Sequence, residues 1–125
     1  MHVKLIPFVA ASSLALGCGA SYPPPTQKLA DTESAERSAA ELGAATQPKA
    51  QLHLQLAQEQ VVQAKAAILE GNNERATSLL SRAQSDAELA VVLTKEETAK
   101  GEAQKATDQS NTQRDTNAKQ PGGQR

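Results

Sequence analysis

Cys18 is the residue of this 125-residue chain whose type and setting point most directly to chemistry. It is the only cysteine, so an internal disulfide is ruled out. Its thiol is a soft nucleophile, and the residue ahead of it, Gly17, is small. The second candidate, His53, stands alone between Leu52 and Leu54, with no acidic residue four positions to either side. One histidine builds neither a metal site nor a nucleophile–base–orienter set. The carboxylates are scattered rather than paired, and no glycine loop suited to phosphate is present, since Gly71 reads as a helix stop. The residues therefore predict no enzyme, no metal and no small-molecule substrate.

Around Cys18 the chain reads as a leader and a cleavage point. Lys4 supplies a positive end, Leu5 to Leu16 is an apolar run interrupted by Pro7, and Gly17 closes it. A run of 12 residues is too short for a spanning helix, which needs about 20. The stretch Leu14-Ala15-Leu16-Gly17-Cys18 resembles the lipobox of bacterial lipoproteins, with Ala15 standing where that family usually has leucine. The resemblance implies a diacylglyceryl thioether on Cys18, cleavage between Gly17 and Cys18, and a further acyl chain, such as palmitate, on the new amino group. That covalent lipid is the only prosthetic group expected, and two or more acyl chains hold a protein firmly to a membrane. By the same resemblance to lipoproteins, Gly19 rather than aspartate after the cysteine implies the periplasmic leaflet of the outer membrane in a Gram-negative envelope. Cys18-Gly19-Ala20 also offers small residues for ordinary secretion with cleavage after Ala20, which would give a soluble periplasmic protein.

The elements behind this anchor follow from composition and period. Aromatic residues are limited to Phe8 and Tyr22, and alanine supplies much of the apolar content. Such a chain suits long helices packed closely through small side chains. Without Lys4 the remaining chain has 12 basic against 14 acidic residues, which leaves no basic footprint for nucleic acid. Residues 1–17 read as the leader, 18–26 as anchor and proline-rich linker, 27–100 as an alanine-rich helical domain, and 101–125 as a disordered polar tail.

Within the domain, a first helix runs from Thr26 or Gln27 to about Leu42, with Thr26 as cap, Gly43 as stop, and Leu29, Ala35, Ala39 and Leu42 on one face. Glu33–Arg37 and Arg37–Glu41 are spaced as outward pairs. Pro48 opens a second helix, along which Ala50, Leu54, Ala57, Val61, Ala64 and Ile68 recur at 4,3,4,3,4. After Gly71, Asn72 or Asn73 caps a third helix carrying Ala76, Leu80, Ala83, Ala87 and Ala90 at the same spacing, with Arg82–Asp86 and Glu96–Lys100 as outward pairs. It is expected to end near Lys100 and fray toward Thr107. So short a connection makes the two long helices antiparallel. The fold class is all-α: an antiparallel helical hairpin, or a small three-helix bundle if the first helix packs across it, with a disordered leader and tail.

The segments Ala66-Ala67-Ile68-Leu69-Glu70-Gly71-Asn72-Asn73-Glu74-Arg75-Ala76 and Ala83-Gln84-Ser85-Asp86-Ala87-Glu88-Leu89-Ala90 resemble the helical domain of Gram-negative envelope lipoproteins catalogued as domain of unknown function 4398. The resemblance covers about Lys28 to Leu93 and implies a place and a shape rather than an activity. The turn from Gly71 to Ala76 is also similar to the turn inside tetratricopeptide repeats, which stack in arrays of about three or more. Leu54, Val61, Ile68, Leu80 and Leu93 form the seam that either fills the interior or docks on a partner. Membrane lipid, an envelope protein and a second copy of the chain are the partners this reading expects.

Overall fold

The structure, a computed structural model, describes residues 22–120. Three helices account for nearly all of them: α1 (Thr26–Glu41), α2 (Pro48–Leu69) and α3 (Asn73–Ala118), with a single 3-10 turn at Ala44–Thr46 between α1 and α2. No strand occurs among the described residues. The first helix packs on the hairpin, mainly along α3, so the fold is a three-helix bundle. The leader, Gly17 and Cys18 lie outside the described residues.

Each boundary has a local cause. Pro25 rather than Thr26 precedes the first turn of α1, and no side chain caps it. Thr26 is instead the first helical residue, with its amide bonded to the Pro24 carbonyl at 2.9 Å. Gly43 stops α1 with φ +92°, a conformation that side chains disfavour. Pro48 opens α2 at a position where a missing N–H costs nothing. At the far end Gly71 adopts φ +75°, its N–H bonds the Ile68 carbonyl, and the Asn72 N–H bonds the Ala67 carbonyl. This paired closure uses up two end carbonyls of α2. The Asn72 side chain then accepts from the Arg75 amide at 3.2 Å and starts α3, with Glu74 in the favourable first turn.

The antiparallel α2–α3 pair meets along alanines. Ala50, Ala57 and Ala64 on α2, and Ala83, Ala87 and Ala90 on α3, are all fully buried. One cluster gathers Val61, Ala64, Leu79, Leu80 and Ala83, with Leu29 against it. The other gathers Ala39, Ala44, Ala50, Leu54 and Ala90, with Val91 and Leu93 against it. The largest fully buried side chains are Leu80, Thr32 and Thr94.

Two expectations about helix faces need correction. The inner stripe of α1 passes through Leu29, Thr32 and Ala39, whereas Leu42 is exposed. Thr32 is tolerated inside because it is small and its hydroxyl donates to the Lys28 carbonyl at 2.8 Å. The outward pairs proposed for Glu33 and Asp86 also differ: Glu33 reaches Lys65 of α2 at 2.6 Å, and Asp86 turns toward α2. Both residues lie on flanks that a neighbouring helix reaches. Lys100 and Glu96 do pair along α3, at 2.6 Å.

The end of α3 also departs from expectation. In place of a disordered stretch from Gly101, the helix continues to Ala118. At 46 residues α3 is about 69 Å long. From Lys95 onward its described residues are exposed. Past Lys100 it clears the level of Gln47 and Pro48 and runs alone for about 27 Å. The physical reason is local as far as Ala106, where alanine, lysine, glutamine and glutamate favour helix; beyond it weaker helix formers extend a helix already nucleated, and proline does not occur until Pro121. Gln104 donates to Asp108, and Gln113 to Asn117, one turn apart.

Two measurements check this architecture. Leu80→Ala is expected to destabilise the bundle by about 2–5 kcal/mol, read by urea unfolding. Ala106→Pro should reduce the helical circular-dichroism signal while leaving the unfolding midpoint unchanged, because the segment it breaks carries no core contact.

Candidate functional site

The five seam residues expected either to fill the core or to dock on a partner lie in the interior. Leu54 is 5% exposed, Val61 4% and Leu80 0%. Ile68 and Leu93 are partly buried, and Leu93 packs against the second cluster. The seam is therefore not a free docking face. Its burial follows from α1, which covers the side of the hairpin that two helices alone would leave open.

The surface away from α1 shows what the chain presents instead. Leu52, Leu56 and Leu89 remain exposed there. Between them sits a polar crosslink that reading along one helix misses. The His53 ring Nδ1 lies 2.8 Å from Asp86 Oδ1, and Gln60 Nε2 donates to Asp86 Oδ2 at 2.8 Å. Facing a carboxylate, Nδ1 is the donor. One carboxylate on α3 thus receives a donor from each of two residues on α2, two turns apart, and holds the register of the pair. The signal for it was present: folding the chain back at Gly71 sets position 86 opposite position 57, flanked by His53 and Gln60. The partner of His53 comes from across the hairpin rather than from its own helix.

A second polar group joins α1 to α2. Lys65 Nζ bonds Glu33 Oε1, and Glu36 lies beside this pair with its Oε1 buried and without a protein partner among the described residues. Burial pushes the Glu36 carboxyl above the usual carboxylate range, and the neighbouring Glu33 adds to the shift, against the opposing pull of Lys65 and Arg37.

Further polar contacts fix the turn end of the bundle. At the turn end, Asn73 Nδ2 donates to the Tyr22 carbonyl at 2.8 Å. Lys28 donates to Ser81 Oγ at 2.9 Å and ties α1 to α3. At the opposite end, a cleft of about 260 Å³ lies between Pro48, Lys49, Leu93 and Glu96. Among the described residues no group of three or more histidine, cysteine or acidic side chains is gathered as a metal site would need. No described helix is long and apolar enough to cross a membrane.

Two expectations follow from these contacts. Asp86→Ala removes the acceptor for both His53 and Gln60 and is expected to cost about 1 kcal/mol in this half-buried setting, read as a lower urea midpoint. For Glu36, a raised carboxyl means that folding favours the protonated form. Its contribution is fully present below the ordinary carboxylate value and lost as pH rises through the raised one. Glu36→Gln should therefore raise the melting temperature at pH 7 and change it little near pH 4, where the wild-type carboxyl is already protonated. An equal gain at both pH values would contradict the assignment.

A scan against protein-family models finds no match to this chain, and searches of curated proteins and of solved structures find none either.

Proposed function

We propose that this chain is a lipid-anchored protein of the bacterial cell envelope with a structural or adaptor role, rather than an enzyme. The observation that carries the reading is the apolar run from Leu5 to Leu16, closed by Gly17 and the sole cysteine, Cys18. The lipobox resemblance supplies the chemistry: acylation of the Cys18 thiol, cleavage after Gly17, and retention on the periplasmic side of the outer membrane. The resemblance to domain of unknown function 4398 is part of the same proposal.

The fold is compatible with this role. The bundle fills its core from its own three helices, so it needs no partner to bury the seam. The part of α3 beyond Lys100 is exposed all round and projects from the bundle, which leaves it free to meet another envelope protein or a second copy. A role in holding or spacing requires rigid length and an anchor, and neither requires a pocket.

Intact mass of the membrane-extracted protein tests the reading. A mass equal to the chain from Cys18 plus two or three acyl chains is the expected result, and Cys18→Ser should release the protein from membranes. A lipid-free mass that starts at Ser21 would overturn the anchor and support a soluble periplasmic binding or chaperone-like protein.

A further inference from the structure

The tie between Tyr22 and Asn73 has a consequence for how an anchored molecule would stand. Three residues lie between Cys18 and Tyr22, and the four Cα–Cα steps span at most about 14 Å at full extension. The Tyr22 carbonyl is bonded to the side chain of Asn73, the first residue of α3. The attachment point is therefore held close to the turn end of the hairpin, at Glu70 to Asn73. The other end of α3 lies about 69 Å along the helix from there.

The turn end also has the side chains that a lipid surface accepts. Leu69, the last residue of α2, is 90% exposed, the highest exposure of any large apolar side chain among the described residues. Tyr22 is 47% exposed beside the same end and combines an apolar ring with a polar tip, as side chains at lipid–water boundaries do. Glu70, Glu74 and Arg75 are exposed around them and carry two negative charges against one positive, so attraction to acidic headgroups is not the source of the contact.

We propose that the turn end, through Leu69 and Tyr22, rests against the lipid surface, and that α3 points away from the membrane and presents its exposed C-terminal part at a distance. This rests on the lipid-anchor reading. In it Asn73 acts as the positioning residue: its side chain grips the linker main chain and sets which end of the bundle is proximal. Asn72, not Asn73, caps α3, so the grip can be removed without loss of the cap.

The test uses the full lipidated chain on vesicles containing a headgroup-nitroxide lipid. A fluorophore is attached at Glu70→Cys in one preparation and at Ala118→Cys in another; both sites are exposed, and Cys18 is blocked by its lipid. The Glu70 label is expected to be quenched several-fold more than the Ala118 label. Asn73→Ala should narrow the difference, while the Lys28–Ser81 tie still keeps the start of α1 at that end. Equal quenching in the parent chain, or a difference unaffected by Asn73→Ala, would overturn the proposal. Flotation of the same samples separates the two readings. A protein that floats but shows equal quenching has an anchor without the orientation. A protein that stays in solution has no anchor, and the orientation falls with it.

Discussion

Close contact between small side chains is the constraint on which this bundle depends. Where Ala50, Ala57 and Ala64 face Ala83, Ala87 and Ala90, the two backbones must approach closely for any of these methyl groups to touch. Dispersion falls off steeply with a gap, so a hairpin of this composition holds together only at one close spacing. The larger residues, Leu54, Val61, Leu79 and Leu80, then occupy the layers between alanine contacts, and the third helix closes the side that would otherwise admit water. Leu29, Thr32 and Ala39 of α1 are matched to that groove in size. A bulkier residue at Thr32 would push α1 away from α3, which explains why a hydroxyl is found there with its donor satisfied along its own helix.

Register in such a pair is weakly set by shape alone, because one alanine layer resembles the next. The polar contacts supply what the apolar ones lack. Asp86 accepts from His53 and Gln60 at once, and a slip by one heptad would leave a half-buried carboxylate with only one of the two donors. The closure at Gly71 acts in the same sense by fixing where the chain reverses. Neither contact contributes much net free energy by itself. Their effect is to make the neighbouring registers worse, and this is how a core with few distinctive shapes yields one arrangement.

The parts of the fold that local rules govern were legible in the sequence. The heptad spacing from Ala50 to Ile68 and from Ala76 to Ala90 located α2, the start of α3 and their shared seam, and Gly71 with Asn72 located the turn. What could not be read lay in relations between elements. The inward place of Thr32 depends on α3 being beside it, and the pairing of Asp86 with α2 rather than Arg82 depends on the antiparallel register. The length of α3 was hidden for a different reason. Absence of large apolar residues after Gly101 removes the packing signal without removing structure, because alanine, glutamine and lysine sustain a helix that is already nucleated by the bundle below it. The exposure of Leu69 at the turn was equally invisible, since by spacing it adjoins the seam.

The helix beyond the bundle has a graded stability that follows from how it is held. At Thr94 the chain is still buried, and opening there would disturb the core. Each turn beyond Lys100 depends only on its own hydrogen bonds and on pairs such as Gln104–Asp108, so the cost of opening falls toward Ala118. Nucleation is the expensive step in forming a helix, and the bundle supplies it once for the whole of α3. A surface that meets the outer turns therefore meets a preformed rod near the bundle and a more yielding one near its tip. Ordering those last turns would subtract from the strength of any contact made there, whereas contacts near Gly101 would be made at almost no ordering cost. If this extension meets a partner, its inner turns can contribute strength, while its outer turns contribute mainly reach.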